Sequence, residues 1–146
     1  MRKRVTLFIV DVDDDKILLI HHNRDGNMYY IVPGGGVEEG ETAVEAAYRE
    51  ADEETGLTIE LGELLWKRPF STTTHNGTII EQTEYAYLIT QFSGTLCLSG
   101  SEFERPSANN SYSLEWMPLA EFPNRVVYPA ETDKAKLLEA ISKQSR

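Results

Sequence analysis

Arg49, Glu50, Glu53 and Glu54 crowd into one short stretch of the sequence, and three carboxylates so close together have definite chemical uses. Hard divalent cations bind clustered carboxylate and carbonyl oxygens, and Mg²⁺ commonly takes one or two carboxylates together with substrate phosphates. On a helix, the three glutamates share a sector about 100° wide. Like charges three and four residues apart destabilise a helix by about 0.2–0.5 kcal/mol per pair. Arg49 alone stands nearby to compensate, so the cluster is a local conflict that a bound cation would resolve. An acidic helix face is often just a solvated surface, and the flanking residues have to decide between the two.

Those flanks predict a helix over Thr42 to Thr55. Thr42 with Glu45 three residues on has the form of a capping box, and Gly56 stands where a left-handed cap ends a helix. Val44, Ala47, Tyr48 and Ala51 recur at helical spacing as an apolar stripe. The glutamates are then turned more than a quarter turn from it. Ahead of the helix, Gly34-Gly35-Gly36 can adopt backbone angles closed to other residues and lets a ligand approach the main chain. Its carbonyls are further candidates for a metal shell.

Upstream, Arg4 to Val12 and Lys16 to His21 read as a hairpin across an Asp-rich turn. Asn23 to Asn27 reads as a loop, and Met28 to Val32 as a strand stopping at Pro33 and the glycines. Downstream, two long extended segments, Ile59 to Thr73 and Thr78 to Gln91, flank the turn-forming Asn76-Gly77. Ser99 to Ser111 reads as a loop and Tyr112 to Met117 as the last strand. Pro118 to Phe122 reads as a helical turn, and Thr132 to Ser142 as a closing helix with Leu137, Leu138 and Ile141 inward. Strands interleaved with helices predict a mixed sheet covered by helices.

The order Gly35, five residues, Glu41, seven residues, Arg49-Glu50, two residues, Glu53-Glu54, one residue, Gly56-Leu57 resembles the signature of the Nudix hydrolases. Ala51 departs from it, standing where the family usually has a larger aliphatic residue. Pro33-Gly34-Gly35 and Leu114 to Leu119 are similar to common features of small, MutT-like members. The resemblance implies an α/β (α+β) fold: an α/β/α sandwich with a mixed central sheet and a loop-helix-loop box. It also implies Mg²⁺- or Mn²⁺-dependent hydrolysis of a diphosphate linkage in a nucleoside diphosphate derivative, by water activated at the metal. The alternatives are a house-cleaning triphosphate pyrophosphohydrolase releasing a monophosphate and pyrophosphate, and a non-catalytic nucleotide-binding module that would be expected to have lost box glutamates.

Position by position, the resemblance implies Glu50 and Glu54 as metal ligands with the Gly34 carbonyl. Glu53 is implied as a further ligand or the base, and Arg49 as the residue that orients the glutamates, partnered by Glu41. Gly35 and Gly56 are conformational. Some members carry the base on a later loop, which makes Glu102 and Glu104 secondary candidates. A proline or tyrosine landmark of certain subfamilies is missing from Ser71 to Asn76, which weakens an ADP-ribose or dinucleoside polyphosphate assignment.

From their positions, Arg24, Arg68, His21 and His22 are candidate phosphate contacts, although strand-end histidines are more often solvated. Tyr29, Tyr30, Phe70 and Tyr87 are candidate stacking residues, although most strand aromatics are core. Trp66 and Trp116 read as packing and Cys97 as a small buried hydrophobe.

The 146 residues suit one domain, residues 1–146. Forty per cent hydrophobic and 26% charged residues exclude a disordered chain, and the one cysteine suits a reducing cytoplasm. No apolar run approaches the roughly 20 residues of a membrane span. Fourteen basic against 24 acidic residues give a net charge of −10, which disfavours nucleic acid and anionic membranes as partners. A small anionic nucleotide would then need a cation between itself and the protein. A homodimer is an expectation at the level of family resemblance alone.

Overall fold

A computed structural model describes residues 2–74, 76–97 and 110–144. Its strands are β1 (Arg2–Asp11), β2 (Lys16–Arg24), β3 (Asn27–Ile31), β4 (Gly34–Gly36), β5 (Leu57–Glu60), β6 (Leu64–Thr73), β7 (Ile79–Ile89), β8 (Gln91–Gly94), β9 (Asn110–Pro118) and β10 (Val127–Tyr128). The helices are α1 (Ala43–Thr55) and α2 (Lys134–Ser142), with a 3₁₀ turn at Phe122–Asn124.

β1 organises the sheet. Val5 to Val10 are all buried, as expected of a central strand covered on both faces. Val5, Leu7 and Ile9 pack with Ala46, Ala47 and Ala51 of α1, whereas Phe8 and Val10 pack with Leu137 and Ile141 of α2. One helix thus covers each face of a mixed sheet, the α/β/α arrangement expected. β1 runs parallel to β7 from Arg2 opposite Gln82 to Ile9 opposite Ile89, and β7 pairs antiparallel with β6. The N-terminal half of β1 pairs with β4, while its last residues pair with β2. β2 in turn carries β3 and β9, and β10 adds to β3. The sheet therefore curls about β1, with β4, β7 and β6 in one half and β2, β3, β9 and β10 in the other.

Several elements differ from the expectation. The glycine run forms a strand, β4, because β1 offers it a partner that local sequence does not reveal. The expected loop at Asn23 to Asn27 is a two-residue turn, with Asp25 at φ 53° and Gly26 at φ 84°. The long segments break into β5 and β6, and into β7 and β8, with β5 and β8 pairing as a separate ribbon. Gly62 lies in the first break, where an added Cβ would stand 2.2 Å from the Leu88 carbonyl oxygen. β9 is followed by β10, so it is not the last strand. Cys97 is exposed; its amide donates to the Thr55 carbonyl, tying the strand-exit segment to the helix end. α2 has Leu137, Ala140 and Ile141 buried and Leu138 half-buried. The expected loop at Ser99 to Ser111, with Glu102 and Glu104, lies outside the described residues apart from the first residues of β9.

Candidate active site

α1 begins and ends as its sequence dictates. Thr42 Oγ1 accepts from the Glu45 amide at 3.1 Å, and the Thr42 amide donates to Glu45 Oε1 at 2.9 Å. Gly56 closes the helix at φ 77°. Its inward face, however, is not the predicted stripe. Val44 and Tyr48 are 46% and 42% exposed, while Ala46, Ala47, Glu50, Ala51 and Glu54 are buried. The helix lies so close to β1 and β4 that alanines fit beneath it. Tyr48 instead reaches sideways, its hydroxyl accepting from the Leu61 amide. Glu50 and Glu54, one turn apart, therefore point inward rather than a quarter turn away.

The glycine strand makes room for them. A Cβ on Gly35 would lie 2.5 Å from Glu50 Oε1, so the carboxylate rests against a bare Cα. A Cβ on Gly34 would meet the Val5 carbonyl oxygen at 2.1 Å. Arg49 fixes the acidic groups from the flank. Nε and Nη2 bind the two oxygens of Glu41 at 2.8 and 2.9 Å, Nη1 reaches Glu50 Oε1 at 2.9 Å and Glu53 Oε2 at 3.2 Å, and Nη2 also donates to the Gly36 carbonyl at 2.9 Å. Bidentate arginine–carboxylate pairs are strong and directional. The Arg49 hydrogen bonds, together with the Glu38 amide, pull the Glu41 pKa down to about 2. Those to Glu41, then Glu50, raise that of Arg49. Glu53, with a side chain 44% exposed, is the most accessible of the three glutamates.

A cavity of about 170 Å³ opens beside this helix, walled by Glu54, Gly34, Arg4, Ile20, Ile31 and Tyr112. The donors suit a hard cation: two buried carboxylates one turn apart, one of them cradled by a glycine. Among the described residues, no three acidic, histidine or cysteine side chains converge to hold a metal by themselves.

The remaining candidates scatter. His22 is buried rather than solvated, stacked on Tyr112 with ring centroids 4.0 Å apart. Its pairing with Tyr29 and Tyr112 puts all three on the cavity side of β2, β3 and β9. Tyr30 falls on the opposite face with His21, packed against the α2-side core, and a hydrogen bond with Glu115 raises its pKa. Arg24 is exposed beside the Asp25-Gly26 turn. Arg68 is committed elsewhere, its Nε donating to Glu84 Oε1 at 3.0 Å. Tyr87 is buried in the α1-side core. Trp66 and Trp116 pack against Phe8 and Phe92. Phe70 lines a second cavity of about 410 Å³ with Arg4, Ile31, Thr72, Tyr128 and Glu131.

Sequence reasoning missed Arg4, which it read merely as the first residue of a hairpin strand. The available signal was its phase: Arg4 and Thr6 continue the face of Phe8 and Val10, placing polar groups at inward positions of a core strand.

The chain matches a NUDIX domain model over residues 1–141. It is 29% identical over 119 residues, 82% of its length, to a Mycobacterium tuberculosis protein named as the mutator protein MutT4, of which that match covers 44%. It is 44% identical over 39 residues, 27% of its length, to an RNA pyrophosphohydrolase of Erythrobacter litoralis, covering 24% of that protein. The chain thus spans less than half the length of these relatives. The crystal structure of a MutT protein from Bacillus halodurans superposes with a TM-score of 0.66 at 25% identity, covering 100% of this chain and 85% of that one. The box on its glycine strand, the curled sheet between two helices and the match along nearly the whole sequence agree: the chain belongs to the Nudix hydrolase family.

Proposed function

We propose that this chain hydrolyses a diphosphate linkage in a nucleoside diphosphate derivative, with Mg²⁺ as the metal. The observation that carries this reading is the pair of buried carboxylates one helical turn apart, Glu54 in the wall of a cavity and Glu50 braced from the flank by Arg49. Glu50, Glu54 and the Gly34 carbonyl would hold the cation, which supplies charge neutralisation for the diphosphate and a more acidic water. Arg49 keeps Glu50 and Glu53 in place through its 2.9 and 3.2 Å hydrogen bonds. Such preorganisation spares the site reorganising as the reaction proceeds. Glu53, the accessible glutamate, takes the proton of the attacking water at its carboxylate. The larger cavity, walled by Ile31, Phe70 and Tyr128, receives the nucleoside, and its volume falls within the usual range for small-molecule sites.

The test is turnover of a nucleotide panel with Mg²⁺ and then with chelator, with products resolved by chromatography. The panel holds nucleoside triphosphates, nucleotide sugars, ADP-ribose and dinucleoside polyphosphates. We expect one preference that vanishes with chelator and yields two phosphorylated fragments. Free pyrophosphate would move the substrate to the triphosphates, and no turnover by folded, metal-loaded protein would overturn the hydrolase reading.

A further inference from the structure

Arg4 is a half-buried arginine whose Nε is shut off from solvent and has no hydrogen-bond partner, and among the described residues no ion pair claims it. Carboxylates are close enough to be felt: Glu84, Glu54 and Glu50 all raise its pKa against the larger lowering effect of burial. Glu84 and Glu50 are engaged by other donors, whereas Glu54 stands with Arg4 in the wall of one cavity. Glu84, directly across from Arg4 in the β1–β7 register, is fully buried. Its Oε2 accepts from Thr6 Oγ1 at 2.6 Å, and its Oε1 accepts from Trp66 Nε1 at 2.7 Å and Arg68 Nε at 3.0 Å. Glu50 Oε1 accepts from Arg49. The Arg4 guanidinium lies over the ring of Phe70, with Cζ 5.0 Å from its centroid. A guanidinium N–H shut off from water without an acceptor is costly, because it loses its hydration and gains nothing equivalent.

Its position gives the cost a use. Arg4 lines both the cavity beside Glu54 and Gly34 and the larger cavity that holds Phe70 and Tyr128. A ligand with its diphosphate in the first and its organic group in the second must pass this side chain. The larger cavity has Glu131 among its walls and suits an uncharged, hydroxyl- or amino-bearing group better than a phosphate.

We propose that Arg4 is a substrate-binding residue that grips the phosphate on the nucleoside side of the scissile linkage, where the two cavities meet. This deepens the hydrolase reading and rests on it for the word scissile. The guanidinium fork matches a phosphate in two-point geometry, which a lysine ammonium cannot reproduce.

The test separates phosphate binding from turnover. Inorganic pyrophosphate is titrated calorimetrically, with MgCl₂ present and at low ionic strength, into the wild-type chain and into Arg4→Gln and Arg4→Lys. We expect the wild type to bind, Arg4→Gln to lose roughly 10- to 100-fold in affinity, and Arg4→Lys to fall between them. Circular dichroism checks folding, and if the glutamine variant does not fold, the lysine comparison decides. Pyrophosphate binding unchanged in the folded variants, or absent from the wild type, overturns the assignment. The panel runs in parallel on the same proteins. Wild-type turnover with KM unmoved in the Arg4 variants sinks the Arg4 assignment alone. Arg4-dependent pyrophosphate binding without wild-type turnover sinks the hydrolase reading and leaves Arg4 as an anion ligand.

Discussion

Gly35 has no side chain to spare for Glu50, whose carboxylate stands where a Cβ would be, 2.5 Å away. The contact is local, so Gly35→Ala should move the carboxylate while leaving the fold. We expect about a 100-fold fall in kcat/KM, the usual size of effect when a reacting group shifts by an ångström, with an unchanged circular dichroism spectrum. Unaltered kinetics would mean that Glu50 can move without consequence. Glu41 makes a different kind of prediction. Its folded pKa of about 2 lies below the ordinary 4.5 because Arg49 and the Glu38 amide favour the charged form. A depressed carboxylate contributes stability that is complete above the unfolded value and is lost as pH falls through the folded one. The difference in melting temperature between the wild type and Glu41→Gln should therefore be full near neutrality and shrink between about pH 4.5 and 2. A gap that stays constant down to pH 2 would place its origin elsewhere than in the Arg49 pair.

At the scale of elements, the sequence is most legible where a structure is decided by neighbours in the chain. Both ends of α1 depend on contacts three or four residues apart, so Thr42, Glu45 and Gly56 could be read before any fold was known. Thr42→Ala should cost about 1 kcal/mol of stability, the typical price of a lost N-cap, and denaturant unfolding would show it as a lower midpoint with an unchanged slope. No loss would mean that packing alone sets the helix start. The inward face was misread because it depends on what lies beneath. Val44 and Tyr48 are apolar by type, yet the glycines of β4 bring the backbone too near for them, and alanines and two glutamates fill the face instead. β4 is a strand because β1 runs beside it, and β10 because β3 offers an edge. The register that places Arg4 in the walls of two cavities likewise comes from pairings with β4, on one side, and β7, about 80 residues away in sequence, on the other.

Over the whole molecule, the charge of −10 and the buried carboxylates Glu50, Glu54 and Glu84 pose one electrostatic problem with two different solutions. Glu84 is settled internally, by Thr6, Trp66 and Arg68. The Glu50 and Glu54 pair, of which Glu54 lines a cavity, is where an added cation should act on stability. A ligand that binds the folded state alone stabilises it by about 2.7 kcal/mol at a hundred times its dissociation constant. For a chain of this size, that corresponds to a rise in melting temperature of roughly 5–10 °C. An acidic protein also gains from general screening, so the comparison must be with NaCl at the same ionic strength. MgCl₂ should raise the wild-type melting temperature beyond that control, and a Glu50→Gln, Glu54→Gln double variant should show the screening effect alone. The double variant, relieved of two buried charges, should also melt no lower than the wild type in chelator. If MgCl₂ raised both proteins equally, the cation would be acting on the diffuse acidic surface, and Glu50 and Glu54 would lose their place as its ligands.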